Sequence, residues 1–385
     1  MTARIHWREN AIERSARWWS SRAAPSPERV RVVDDALAAD EGYGQACQGV
    51  GLLWRGDFHG ARQLLAALGK RAERAVRPAR TAVADAAAFH RYRQARAQRA
   101  RTLGMLLVEL DGDYRIALRR APDVRAACRA ALGPPDGTPT VLSLRELQGF
   151  VGAHEWRLKG IDVPDAGGRI HPHYGVFAPV RSEYVGLVAQ APLPVALQAA
   201  DLAFDLGTGT GVLAAVLARR GVGRIVATDS DARAIECARD NLERLGCADR
   251  VQLQVADLFP DGRAALIVCN PPWIPARATT SLERAVFDPD GRMLAGFLHG
   301  LGAHLVPGGE GWLVLSDLAE HLGLRPRRQL LEAIAAAGLQ VVERRDARPA
   351  HPRALDVADP LHRARAAEVT SLWRLAEIPP NKRGT

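Results

Sequence analysis

No stretch of about 18 uncharged apolar residues occurs in the 385-residue chain, so no membrane-spanning helix is expected. The opening residues, MTARIHWRENAIERSARWW, carry charges where a secretory signal needs an apolar centre. Cysteine is scarce: five residues, at 47, 128, 237, 247 and 269, odd in number and never paired as C-x-x-C. That excludes a legible zinc-ligand pattern and favours reduced thiols in a cytoplasmic protein. No His, Cys, Asp and Glu set has metal-ligand spacing, so no metal is expected. Aromatic residues make up 5% and do not interleave with basic ones, so a base-stacking platform has no signature here.

Acidic residues are also in deficit, leaving a formal charge of +9. The excess is local: from Lys70 to Arg101 there are ten basic residues and two acidic ones. Arg71, Arg74 and Arg77, then Arg93, Arg96 and Arg99, recur every three residues, which groups each set on one helical side. Such a face attracts a phosphate backbone or an acidic protein. The alternative is a solvated, arginine-rich helix pair.

Residues 1–104 are expected to form a mainly helical basic domain, with breaks at AAPSPER and Pro78. In it, GVGLLWRGDFHGARQLLAALGKRAERAV has apolar positions at helical spacing, interrupted at Gly56. Residues 105–174 read as a mixed α/β linker or small subdomain, in which GMLLVELDGDYRIALRR suggests strand, Asp-Gly turn, strand. From 175 to 385 apolar strands alternate with amphipathic helices. LAFDL, RIVAT, VQLQV, ALIVC, GWLVLS, LQVVERR and SLWRLAE are the strands. Repeated strand–helix units predict a mostly parallel, seven-stranded Rossmann-like sheet covered on both faces, with an antiparallel edge where the last strands lack a clear connecting helix.

Four features fall on successive strand ends, where open α/β sheets bind ligands. The first is Asp205-Leu-Gly-Thr-Gly-Thr-Gly, whose Gly207, Gly209 and Gly211 allow close backbone approach and a tight turn into a helix. The dinucleotide spacing G-x-G-x-x-G is not met, because position 212 is Val. That favours a cofactor without a pyrophosphate and disfavours an NAD-dependent dehydrogenase. The second is Asp229, 18 residues after Gly211, where a carboxylate can accept both hydroxyls of a ribose. The third is Asp257-Leu258, where an acid can accept from an adenine amino group. The fourth is Asn270-Pro271-Pro272-Trp273, two prolines that stop a strand and freeze the groups beside it. Asp229 could equally cap the next helix and Asp257 hold a turn.

DLGTGTG, ATDSD, ADLF and NPPW, in this order, resemble the class I S-adenosylmethionine-dependent methyltransferases, over roughly residues 175–345. The likeness is nearest to the small-domain branch, which holds protein glutamine N5-methyltransferases and ribosomal RNA guanine N2-methyltransferases. Trp273 departs from the NPPY usual among the glutamine enzymes. The resemblance implies S-adenosyl-L-methionine as cofactor, with Asp205 near its methionine amino group, and methyl transfer to a planar NH2 nitrogen. In that reading Asn270 Oδ1 and the Pro271 carbonyl accept the two N–H groups, the prolines hold them still, and Trp273 stacks on the acceptor. Tyr174, Phe177 and Arg181, just before the first sheet strand, are candidate substrate residues or simply packing residues. The implied partner is a macromolecule, a protein glutamine or an RNA base, perhaps within the translation machinery. A small-molecule acceptor and a non-catalytic RNA-binding protein with a remnant methyltransferase fold stay open.

Overall fold

The computed structural model describes residues 3–75, 86–277, 283, 286–349, 356 and 359–379. Arg77, Pro78, Arg80 and Asp85, which belong to the expected basic segment, lie outside the described residues. Backbone contacts divide the chain into two compact units. One comprises the described residues between 1 and 82 and between 90 and 155; the other, those between 83 and 89 and from 156 onward. No helix among the described residues is long and apolar enough to cross a membrane.

The first unit corrects the helical expectation, because it is built on a six-stranded sheet. Its strands are β1 (Arg4–Glu9), β2 (Ile12–Trp18), β3 (Arg29–Val33), β4 (Val50–Trp54), β5 (Leu106–Leu110) and β6 (Thr140–Ser143). They lie in the order β1-β2-β6-β5-β4-β3. The two ends of this order come back beside each other, so the sheet nearly closes into a barrel. The helices are α1 (Ala39–Cys47), α2 (Phe58–Ala75), α3 (Ala86–Leu103), α4 (Arg125–Leu132) and α5 (Leu144–Lys159).

Physical reasons for the strands are visible once the pairing is known. Arg4, His6 and Arg8 alternate with Ile5 and Trp7, and only the latter pair is buried. That is period two, the strand period. The hairpin turns at Asn10-Ala11, both with positive φ (52° and 62°), the backbone of a type I′ turn made without glycine. VGLLW is a short run buried on both faces, so the helix foreseen across Gly56 starts only at Phe58. GMLLVEL does supply β5, but the segment after Asp111-Gly112 forms no strand.

The second unit holds β7 (Ile161–Val163), β8 (Gly168–Ile170), α6 (Glu183–Gln190), β9 (Leu202–Leu206), α7 (Val212–Arg219), β10 (Arg224–Asp229), α8 (Ala232–Arg244) and β11 (Val251–Val255). It continues with β12 (Ala264–Cys269), α9 (Arg292–His304), β13 (Leu305–Ser316), α10 (Leu318–His321), α11 (Arg327–Ala336), β14 (Leu339–Ala347), α12 (His362–Ala367) and β15 (Thr370–Glu377). The seven-stranded sheet has the order β11-β10-β9-β12-β13-β15-β14, and only β15 runs antiparallel to its neighbours. One core lies under α6, α7 and α8, the other under α9 and α11, so both sheet faces are covered. β9 and β12 lie side by side although β10 and β11 separate them in sequence. This is the order reversal beyond whose strand ends ligands bind.

Candidate functional site

The sheet register brings the four motifs together. β9 pairs with β10 through Asp205 and Ala227, and with β12 through Asp205 and Val268. Leu206 is opposite both Thr228 and Cys269. The glycine loop therefore starts between Asp229 on one side and Asn270 on the other. Ala256 N donates to Asp229 O at 3.1 Å, which carries the row on toward Asp257.

The loop from Gly207 to Gly211 is held by its own chemistry. Thr208 N donates to Thr228 O at 2.8 Å, and Gly209 N to Asp229 Oδ2 at 3.0 Å. Gly209 has φ +55° and a Cβ there would stand in nearly open space. Gly211, φ +79°, starts α7, and a Cβ would press on Ala238 of α8 at 3.2 Å. Asp205 is 1% exposed. Its Oδ2 accepts from Thr208 Oγ1 at 2.7 Å and from Ala214 N at 3.1 Å. Burial pushes its carboxyl up to about 6, against the pull of those two donors. Asp229 Oδ1 accepts from Asp231 N at 2.9 Å, and burial raises its carboxyl too. The capping role foreseen as an alternative for Asp229 falls to Asp231, whose side chain accepts from Arg233 N at the start of α8.

Asp257 is exposed and ion-paired with Arg292 at 3.0 Å. Leu258 has φ +71°, and its carbonyl accepts from Thr228 Oγ1 at 2.5 Å. The turn after β11 is thus tied to the end of β10.

Asn270 Oδ1 accepts from Trp273 Nε1 at 2.9 Å. Trp273 therefore orients the asparagine amide within the same tetrapeptide. A carboxamide oxygen has two lone pairs, so one remains for a further donor. The Arg181 guanidinium lies over the Trp273 ring, 5.2 Å from its centroid. Arg181 is anchored in turn by Glu183 at 2.8 Å and by Glu368 at 3.1 Å, and Ser316 Oγ donates to Glu368 at 2.6 Å. Glu368 is 2% exposed, so this pairing is the buried anchor of the network. Of the three candidates before β9, Arg181 joins the tetrapeptide. Tyr174 is buried, and Phe177 is partly exposed. Beside them Val176 packs with Ala234 and Cys237 of α8. His171 and His173 are also tied to α8, through Asn241 and Asp240.

Several residues that sequence reasoning missed frame the tetrapeptide. Asp288, 5% exposed, accepts from Met293 N and Leu294 N at the start of α9. Arg325, 8% exposed, donates to the Trp273 carbonyl at 3.4 Å. Glu368 follows α12. DPDGR, an acid and a proline before a helix, was the one available signal for Asp288; Arg325 and Glu368 carried none.

Residues 168–336 match the methyltransferase small domain family, and the sheet order with its antiparallel β15 is that of a class I S-adenosylmethionine-dependent methyltransferase. The matched stretch lies within the second unit and holds β9 to β13 with the four motifs. The ribosomal protein L11 methyltransferase of Pelotomaculum thermopropionicum is 37% identical over 144 residues, covering 37% of this chain and 39% of that protein. The release factor glutamine methyltransferase of Cereibacter sphaeroides is 35% identical over 150 residues, covering 35% of this chain and 51% of that protein. That of Chlorobaculum tepidum is 33% identical over 166 residues, covering 38% and 56%. The chain spans between about two fifths and a little over half the length of these curated relatives.

S-adenosylmethionine is the cofactor of this family, and the residues present fit it. The open space at Gly209 lies beside the Asp229 carboxylate, which keeps acceptor capacity for a ribose diol. The second oxygen of Asp205 has no partner among the described residues and can take an ammonium. When bound, S-adenosylmethionine supplies a sulfonium-activated methyl group.

Proposed function

We propose that the protein is an N-methyltransferase acting on a planar NH2 nitrogen of a macromolecule, with a protein glutamine side chain as the leading acceptor. The observation that carries this is the register that sets Asn270 beside the glycine loop, with its Oδ1 aimed by the Trp273 N–H. An amide nitrogen is a poor nucleophile because its lone pair is delocalised. Asn270 Oδ1 and the Pro271 carbonyl accept its two N–H groups, orient it, and stabilise positive charge as it develops. The prolines and the indole hold these acceptors in place before the reaction, which lowers the reorganisation needed. No histidine base is required, because the nitrogen becomes acidic after transfer and loses its proton then. Trp273 has one face covered by Arg181, so any stacking on the acceptor uses the other face or the ring edge.

The glutamine reading draws on the relatives named for release factor glutamine, and on those named for ribosomal protein L11 for a partner in the translation machinery. A second reading, methylation of an RNA base, is favoured by the basic first unit. Transfer of labelled methyl from S-adenosylmethionine into a cell extract tests both, with the extract split into nuclease-treated and protease-treated portions. Label lost only with protease supports the glutamine reading. Label lost with nuclease supports the RNA base. Equal transfer by wild type and the Asn270→Ala variant would sink the chemistry assigned to the tetrapeptide.

A further inference from the structure

In the first unit, the segment after β2 is clamped onto the start of α5. Ser21 N and Oγ both donate to Glu146 Oε1, at 2.7 and 2.8 Å, and Trp19 packs edge-on against Phe150 at 4.9 Å. These contacts bring the neighbours of Ser21 and Glu146, Arg22 and Arg145, to the same place. Arg22, Arg99 and Arg96 all act on Arg145 as like charges, with Glu146 opposing them, so four guanidiniums from three segments lie within electrostatic reach of one another. Glu146, the nearest carboxylate in sequence, is already bonded by Ser21 and Ser143.

The cluster is short of counter-charge: against four guanidiniums stand Glu73, paired with Arg99, and Glu146, which acts on Arg145 without bonding it. Arg145 has no ion-pair or hydrogen-bond partner among the described residues, and its Nη1 is buried. The Arg22 side chain has none either. Arg99 is paired through Nη2 with the exposed Glu73 at 2.7 Å, which leaves its buried Nε without an acceptor. Among the described residues Arg96 bonds only Tyr92 OH, at 3.2 Å, and it lies over that ring. A buried donor on a cation is costly to leave unmade, and like charges held together add to that cost. An anion seated among the four would relieve both.

We propose that Arg22, Arg96, Arg99 and Arg145 form a phosphate-binding cluster through which the first unit docks on an RNA backbone. Guanidiniums match phosphate oxygens bidentately. The continuation of the site along α3 selects a polyphosphate over isolated carboxylates. That helix carries five arginines and no acid; they fall between Arg91 and Arg101, about 15 Å of its axis, and Arg93, Arg96 and Arg99 share one side that successive phosphates can follow. Arg71, which the sequence grouped with this face, is ion-paired with Asp40 at 2.6 Å. The inference does not depend on the methyl acceptor, since an RNA-docked enzyme can modify either a protein or a base.

The test is fluorescence anisotropy with a labelled RNA hairpin, titrated with the full chain over a range of salt concentrations. Arg22→Gln/Arg145→Gln is compared with wild type and with Arg328→Gln/Arg363→Gln, which removes the same charge from the second unit. Loss of two phosphate contacts lowers the salt slope by about 1.8 and weakens binding roughly 50-fold at about 0.1 M salt. The control keeps the wild-type slope. Arg145→Lys, which keeps the charge but loses the bidentate fork, keeps the wild-type salt slope and weakens binding less than the double variant. The double variant melts no lower than wild type, because it removes an unpaired cation; a purely structural arginine would lower the melting temperature. Absence of RNA binding by wild type, or an unchanged slope in the double variant, overturns the proposal. So does a loss confined to polyglutamate binding, which would assign the cluster to an acidic protein. S-adenosylmethionine affinity, measured in parallel, reports on the second unit and separates failure here from failure of the methyltransferase reading.

Discussion

Asp205 is a carboxylate held where neutral groups are more comfortable, and Asp205→Asn tests what it is for. Burial lifts its carboxyl from the ordinary 3.8 to about 6, a difference of roughly 3 kcal/mol between folded and unfolded chains. Because the folded pKa is the higher one, the folded state keeps a proton that the unfolded chain gives up. This contribution to stability is full below about pH 4, falls as pH rises through about 6, and is absent at neutral pH. Asn keeps an oxygen for Thr208 Oγ1 and Ala214 N without the charge. The variant should therefore be about 1–3 kcal/mol more stable than wild type at pH 7, with a gap that closes toward pH 4. Cofactor binding should move the other way. An ammonium facing the free oxygen requires the ionised acid, so wild-type affinity should drop roughly tenfold from pH 7 to pH 5, while the variant binds weakly at both. Denaturation and calorimetric titration across this range measure the two effects. A stability gap that does not change with pH, or a variant that binds the cofactor like wild type, refutes the assignment.

Asn270→Ala should lower turnover by about 10²–10³, by analogy with loss of a preorganised oxyanion-site donor, and leave cofactor affinity nearly unchanged in the same titration. Trp273→Phe keeps an aromatic ring but deletes the N–H that holds Asn270. It should reduce kcat by roughly fivefold, the worth of one ordinary hydrogen bond, with kinetic assays showing a smaller change in KM. Asp229→Ala should weaken cofactor binding, measured by titration, with folding intact by circular dichroism. Glu368→Ala leaves the Arg181 guanidinium short of its buried partner and should cost about 3 kcal/mol in denaturant unfolding.

The second unit was legible because its signals agree at several levels. LAFDL, RIVAT and ALIVC are apolar runs closed by Gly, Asp or Pro, and each became a strand whose end carries a motif. The first unit was not, because its pattern is ambiguous over short windows. Ile5 and Trp7 show the strand period, but over only a few residues, and the turn at Asn10-Ala11 lacks the glycine that would have announced a hairpin. The parallel pairings of β2 with β6 and of β4 with β5 join segments far apart in the chain, which no local pattern can reveal.

Within the site, the sequence named the groups that can meet a ligand but not those that hold them. Asn270 and Trp273 are three residues apart after a double proline, and each has an obvious chemistry on its own. Their hydrogen bond depends on the way the chain turns after Pro272. Arg181, Glu368 and Ser316 converge on that turn from three separate parts of the chain. The pairing of Arg181 with a nearly inaccessible carboxylate is a specific commitment, because either charge alone would be expensive to bury. It fixes the cation over the indole, and the indole fixes the asparagine. Trp273 is therefore tied to its surroundings: a phenol in this place would present its hydroxyl at a different reach, and the Asn270 oxygen would lose the donor that now aims it.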